Sequence, residues 1–311
     1  MNILITGCEG FVGKNLVNLF LSDGYRVFNP TVTELDLTNF DSVSRYFDKN
    51  VIDVIIHSAT TLRDGTDYPP HTCENNLRMF FNLACIAGET IKLINFGSGS
   101  EYSRDFWHKK MHEDFFGKNI PEDSHSYSKY IISKYIEDSC YSNMTTLRIF
   151  GIFGKFEDYR FKFISNAIAK NLFRMPILIN QNVVYDYIYI DNFYEIVKFF
   201  VNNKIDFRSY NVTPSNSTDL LTIANTINKI SNYKSDVVVL NDGVGVHYSG
   251  DNSRLLSSIK NINIMSLSES VLDLYQYYKS NISMLDRNEL EKDQFLSYAK
   301  KLKEEYFNEN T

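Results

Sequence analysis

The residues Thr6-Gly7-Cys8-Glu9-Gly10-Phe11-Val12-Gly13 carry the clearest chemical signal in the chain. They lie between a short apolar run and a helical pattern, with GxxGxxG spacing. Gly7 permits a tight turn, Gly10 lets backbone approach a pyrophosphate closely, and Gly13 lets the next helix pack on a sheet. With Phe11 and Val12, these residues open a helix whose free N–H groups and dipole would hold a dinucleotide's phosphates. The strand–turn–helix context gives the glycine pattern its weight. An acid at the end of the second strand would bind the ribose diol of NAD, and an Arg there would suit the extra phosphate of NADP. That region reads Phe28-Asn29-Pro30-Thr31-Val32-Thr33, with neither. Glu9 disfavours an extra phosphate, and Asp36 and Leu37 are candidate adenine contacts. NAD and NADP both stay open at this stage. Further along, His125/Lys129 and Tyr130/Lys134 are each i, i+4 pairs, so either pair would share a helix face. Imidazole titrates near neutrality, which makes His125 a candidate acid.

Positioning these groups requires a regular scaffold. Asn2–Thr6, Arg26–Phe28, Val54–His57, Lys92–Phe96 and Thr145–Phe150 read as short buried strands. Helical patterns run over 13–23, 41–50, 75–87 and 124–140. Strands alternating with helices predict an α/β fold with a doubly wound parallel sheet of Rossmann type. After Gly154 the pattern loosens. Helices are expected over 161–171, 219–230 and 267–278, strands over 184–190 and 236–240, and a charged helix from Leu285. The expected organisation is a dinucleotide-binding domain at 1–155 plus about 184–210. A smaller interleaved α/β substrate-binding domain takes 156–183 and 211–280, and 281–311 forms a C-terminal helical extension.

Composition removes several function classes. With 43% hydrophobic and 23% charged residues the chain reads as an ordinary globular protein. Its net charge of −6 argues against a nucleic-acid footprint. Anionic substrates must therefore meet local cations or backbone amides. No apolar run approaches membrane-spanning length, and the opening MNILITG lacks the layout of a secretory signal. Cys8, Cys73, Cys85 and Cys140 form no CxxC pair, so they read as reduced thiols in a cytoplasmic protein, with no zinc site. Trp107, His108 and His112 show no metal spacing.

Five patterns occur in order: TGxxGxxG, His57-Ser58-Ala59, the serine turn after the fourth strand, Leu147 to Gly154 (LRIFGIFG), and Asp186 to Asp191 (DYIYID). Together they resemble the NAD-dependent epimerase/dehydratase family of extended short-chain dehydrogenases/reductases. The run Thr33-Glu34-Leu35-Asp36-Leu37-Thr38 is most similar to GDP-fucose synthase-like and other 4-keto-sugar-nucleotide reductase members. The resemblance spans about 1–280. It implies cofactor contacts at Ser58, Ala59 and Lys129, and a catalytic Ser, Tyr and Lys. The Ser would be Ser98, four residues before Tyr102. For the Tyr-x-x-x-Lys pair the literal match is Tyr130/Lys134. Pro121 and the distance to Arg148 favour the His125/Lys129 register, which puts His in the tyrosine slot. Either His125 or Tyr130, or Tyr127 beside them, is then the proton donor.

The resemblance also bears on the reaction. Dehydratase members carry an Asp-Glu pair directly after the Ser/Thr, where this chain has Gly99 and Ser100, with Glu101 one step later. GDP-fucose synthases epimerise with a Cys and a His. Ser100 stands in the Cys-like position, and Tyr159-Arg160-Phe161-Lys162 contains no His. Reduction of a 4-keto sugar nucleotide is the expectation. A 4-epimerase and a non-catalytic NAD(P)-binding protein are the alternatives. Ser100, Arg160, Lys162 and Arg254 are the candidate substrate contacts, with Arg174 a further cation. The expected assembly is a homodimer.

Overall fold

The computed structural model describes residues 1–63, 67–259 and 264–297. The first half alternates strand and helix: β1 Asn2–Thr6, α1 Phe11–Ser22, β2 Arg26–Phe28, α2 Phe40–Lys49, β3 Val54–His57, α3 Thr72–Ala87, β4 Lys92–Ser98, α4 Ser124–Asp138 and β5 Met144–Ile149. There follow β6 Gly151–Phe153, α5 Phe163–Leu172, β7 Ile177–Tyr185, β8 Tyr187–Tyr189, α6 Ile190–Asn202 and β9 Ser209–Val212. The last elements are β10 Thr218–Asp219, α7 Leu220–Ile230, β11 Val237–Tyr248, α8 Ser253–Ser258, α9 Leu267–Ser280 and α10 Arg287–Glu291.

Two compact units result. The first comprises Met1–Phe150, Phe193–Thr213 and the segment from Gly250; the second comprises Gly151–Asn192, Pro214–Ser249 and the segment from 264. Sequence patterns place 184–210 with the first domain and 211–280 with the second, whereas the packing keeps Phe193–Thr213 and the segment after Gly250 in the first unit. Of the expected C-terminal helical extension, Arg287–Glu291 is helical. Residues 298–311 lie outside the described residues.

The first unit is built on a six-stranded parallel sheet in the order β2-β1-β3-β4-β5-β9. Its strands read as continuous apolar runs because helices cover both faces of such sheets. Ile3, Leu4, Ile5, Ile55, Ile56, Leu93, Ile94 and Leu147 are accordingly fully buried. The chain runs from β1 outward to β2, then returns across β1 to β3. The connections leaving β1 and β3 therefore diverge, and a crevice opens beyond their carboxyl ends. The second unit holds the antiparallel pair β10/β7, the parallel pair β7/β11, and a separate parallel pair β6/β8.

Of the elements that depart from the sequence patterns, two show why. The expected strand over 184–190 ends at Tyr185, resumes over Tyr187–Tyr189, and gives way to α6 at Ile190. That helix is rich in Phe, Tyr, Ile and Val, which favour strands. Its buried Phe193, Ile196, Val197, Phe200 and Val201 recur at helical spacing, and burying that stripe overrides local preference. The other element is β9, a polar four-residue strand that is wholly buried at the edge of the sheet beside β5. Among the described residues, no helix is long and apolar enough to cross a membrane.

Candidate active site

Gly7 leaves β1 with φ +67°, and a Cβ there would lie 2.8 Å from the N and Cα of Ala59. A Cβ on Gly13 would lie 2.1 Å from the Gly7 carbonyl oxygen. The protein's own packing therefore demands both glycines. Gly10 differs: a Cβ there would meet only the Gly7 oxygen at 3.4 Å, an ordinary contact. No side chain caps α1 at Gly10, so the N–H groups of its first turn, Phe11, Val12 and Gly13, stay available at the crevice. An uncapped helix start beside a bare glycine fits a dinucleotide's diphosphate. The Thr6 hydroxyl ties the two walls together, accepting from Ala59 N at 3.2 Å and lying 3.0 Å from His57 Nδ1. Burial, and then the Lys129 charge, push His57 down to about 3, so this ring packs as neutral imidazole. Ser58 and Ala59 thus line the β3 wall. On the β2 side, Leu37 packs in the core with Leu35 and Val43, and its carbonyl oxygen accepts from Asn82 Nδ2 at 2.8 Å. The Asp36 carboxylate accepts from Thr38 N at 2.9 Å and Thr38 Oγ1 at 2.7 Å, and lines an open depression with Asn39, Asn75 and Arg78.

At the end of β4, Ser98 Oγ accepts from Ser100 N at 3.1 Å and from Ser100 Oγ at 2.9 Å. Two acceptances fill its lone pairs, so its own proton is the group it has left to offer. A hydroxyl in that state is a donor to a carbonyl oxygen. Ser100 is itself buried and serves Ser98. Glu101 faces the opposite way: its Oε1 accepts from Ser98 N at 2.8 Å, and its Oε2 lies 2.6 Å from Arg148 Nε on β5. Both side chains are fully buried, and Arg148 reaches Glu137 of α4 at 2.9 Å as well. A Cβ on Gly97 would sit 2.3 Å from Glu101 Oε1, so the bare glycine makes room for this carboxylate. Glu101 therefore braces the serine turn from behind.

Asp123 caps α4 by accepting from Ser126 N at 2.9 Å, which places His125 in the first turn and Lys129 one turn later. Lys129 is buried, and its ammonium donates to the Phe96 carbonyl of β4 at 2.7 Å, two residues before Ser98. Burial pushes this lysine down to about 8, against the pull of Glu101. The His125 ring stacks on Tyr68 at 4.6 Å, nearly parallel at 4°, and the Arg63 guanidinium lies 4.4 Å from the Tyr68 ring centre. Burial, then the Lys129 charge, push His125 down to about 3, and its Nδ1 is buried without a hydrogen bond. The other register is placed elsewhere. Tyr130 is buried against Phe116 at 5.0 Å, and exposed Lys134 pairs with Asp138 at 2.8 Å. Tyr127 is also exposed.

Of the cations expected to meet substrate, Arg160 is half-buried and bound bidentately by Asp158 at 2.9 and 2.7 Å. Lys162 is exposed at the start of α5. Arg254 belongs to the first unit, where Asp114 at 3.3 Å and Glu113 at 3.8 Å neutralise it. Sequence patterns did not single out Asn76 and Ser128, whose 3.0 Å bond ties α3 to α4; Asn76 also accepts from Thr61 N at 2.8 Å after β3. They also passed over the buried acid of Arg148, although an arginine inside an apolar strand requires one.

A family model described as "NAD dependent epimerase/dehydratase family" matches residues 3–213. The chain is 31% identical over 105 residues to a GDP-L-fucose synthase of Azorhizobium caulinodans, a match to 32% of this chain and 34% of that one. It is 27% identical over 282 residues to a GDP-6-deoxy-D-talose 4-dehydrogenase of Aggregatibacter actinomycetemcomitans, covering 84% of this chain and 92% of that one. Its fold is similar to GDP-mannoheptose C4 reductase of Campylobacter jejuni, solved with NADP bound: TM-score 0.77 and 16% identity, over 89% of this chain and 98% of that one.

Proposed function

This chain belongs to the NAD-dependent epimerase/dehydratase family, and from that premise we propose that it reduces the 4-keto group of a nucleotide-activated sugar, with GDP as the nucleotide. The family makes it an NAD(P)-dependent enzyme of nucleotide-sugar modification. The finer reading draws on two similarities, to a GDP-sugar 4-dehydrogenase and to a GDP-sugar C4 reductase. The observation that carries it is the β4 end itself: a serine with only its proton left to give, beside a buried lysine held on the same strand.

Phe11, Val12 and Gly13 would hold the diphosphate on their N–H groups, with Gly10 giving close approach. Lys129 would hold the nicotinamide ribose. When bound, the reduced nicotinamide supplies the hydride. The protein's part is to receive the ketone and protonate it. Ser98 donates to the carbonyl oxygen and stabilises the negative charge that develops there. One proton must then arrive at that oxygen. His125 is neutral and its Nδ1 is buried without a partner, so it is not the proton store. Lys129 titrates near neutrality and is the group that stores it. The alcohol forms; Lys129, left uncharged, regains its proton from solvent, and the spent nucleotide must be exchanged for a reduced one. Dehydration finds no support, because the only acid following Ser98 in its turn is locked onto Arg148.

The test is NAD(P)H oxidation by the full chain against a panel of 4-keto GDP-sugars, prepared with a separate dehydratase. Turnover of at least one, lost in Ser98→Ala, supports the reading. No turnover of any, in protein shown to bind cofactor, removes it.

A further inference from the structure

Between the two nicotinamide dinucleotides the sequence motifs leave the choice open, and the ground beyond β2 bears on it. This rests on the function proposed above. If the reacting ring lies toward Ser98 and Lys129 at β4, and the diphosphate lies at the start of α1, then the adenosine must extend the other way, across β1 toward the end of β2. Three contacts fix the backbone there. The Cys8 thiol lies 3.2 Å from the Asn29 carbonyl oxygen and 3.3 Å from that of Pro30, tying the glycine turn to the end of β2. Thr31 N and Thr31 Oγ1 both donate to Glu34 Oε2, at 2.8 and 2.9 Å. Thr31 Oγ1 also lies 2.9 Å from Thr33 Oγ1.

These bonds hold the Glu34 carboxylate in one orientation, with both donors on Oε2. Glu9 is exposed on the glycine turn. The Cys8 thiol registers both acids: burial raises its pKa, and the Glu9 and Glu34 charges raise it further. Cations are missing from the same ground. Neither Thr6–Gly13 nor Val27–Ser44 contains a Lys, Arg or His, while the two stretches carry Glu9, Glu34, Asp36 and Asp41.

We infer that this chain selects NAD(H) against NADP(H), with Glu34 and Glu9 as the discriminating residues. A ribose diol can donate to a carboxylate fixed in the Thr31–Glu34 turn that follows β2. A 2′-phosphate brings two negative charges to ground that carries Glu9 and Glu34 already, and Arg78, which lines the depression beside Asp36, is paired with Glu74 at 2.9 Å. Each close charge pair costs a few-fold in affinity even in water, so the joint effect on binding is roughly tenfold or more.

The experiment is equilibrium titration of the full chain with NADH and with NADPH, read by nucleotide fluorescence or by calorimetry, without sugar substrate. NADH is expected to bind at least roughly tenfold more tightly at low salt. The ratio should shrink as ionic strength rises, because exposed charges are screened. The double variant Glu9→Gln/Glu34→Gln should tighten NADPH binding by roughly tenfold and weaken NADH, which loses the carboxylate its diol donates to. Glu9→Gln alone, which leaves the Thr31–Glu34 turn intact, should deliver part of that gain. NADPH binding as tightly as NADH, or a ratio unmoved by both variants and by salt, overturns the inference and leaves the reductase reading standing. Binding of neither nucleotide removes both.

Discussion

Replacing Lys129 by Met should make the stability of the protein respond differently to alkali. In the folded chain burial lowers this lysine from its ordinary 10.5 to about 8. At about 1.4 kcal/mol for each tenfold of proton affinity, that depression corresponds to roughly 3 kcal/mol. The unfolded chain keeps its proton up to the ordinary value, while the folded chain releases it near 8. Below about pH 8 both states are charged and the folded state bears the whole cost. Through the window from about 8 to 10.5 the unfolded state binds more protons, so the folded state gains stability as pH rises. Methionine has a similar volume and does not titrate. Urea melts of both proteins at pH 7 and pH 10 cancel the response of every other group. The wild-type stability minus that of Lys129→Met should rise by roughly 3 kcal/mol between the two. A difference that stays flat would refute the reasoning, because it would mean that Lys129 is neither buried nor charged as the structure places it. In the same preparations, turnover should be lost in the variant, and wild-type turnover should fall as pH rises through about 8.

Three further outcomes are expected. Ser98→Ala should lower kcat by roughly a hundred- to a thousandfold with little change in KM, measured by steady-state reduction of a 4-keto sugar nucleotide. Arg148→Met strands Glu101 in the core and should cost roughly 3–5 kcal/mol in a urea melt, because the native arginine pairs with both Glu101 and Glu137. Lys134→Ala removes only an exposed helix pair, so a urea melt should show stability unchanged and titration should show nucleotide affinity unchanged.

The parallel sheet was legible because buried strands leave uninterrupted apolar runs, as in Asn2–Thr6 and Val54–His57. The glycine turn was legible because backbone packing dictates residue type there, at Gly7 and Gly13 above all. What stayed hidden depends on contacts between distant segments. Nothing in the SYNV run of β9 marks it as a strand; it is one because β5 offers it a partner. Helix α6 hides behind strand-favouring residues whose burial stripe is read only at the right period. For the two lysine registers, i, i+4 spacing is identical in Tyr130/Lys134 and His125/Lys129. Only the third dimension shows Lys134 turned to solvent and Lys129 turned to the Phe96 carbonyl. The Glu101–Arg148 pair joins positions 47 residues apart, beyond the reach of local pattern.

The three glycines of the opening turn answer to different masters. Two are hostages of the main chain: a methyl group at position 7 or 13 would collide with neighbouring backbone whatever the protein does for a living. A descendant that had abandoned its nucleotide would still inherit them, and its motif would look largely intact. Position 10 alone has slack on the protein's side, so mutation there is policed only by the visitor. Among distant cousins of this chain, drift at that single site is the signature by which a retired enzyme would betray itself.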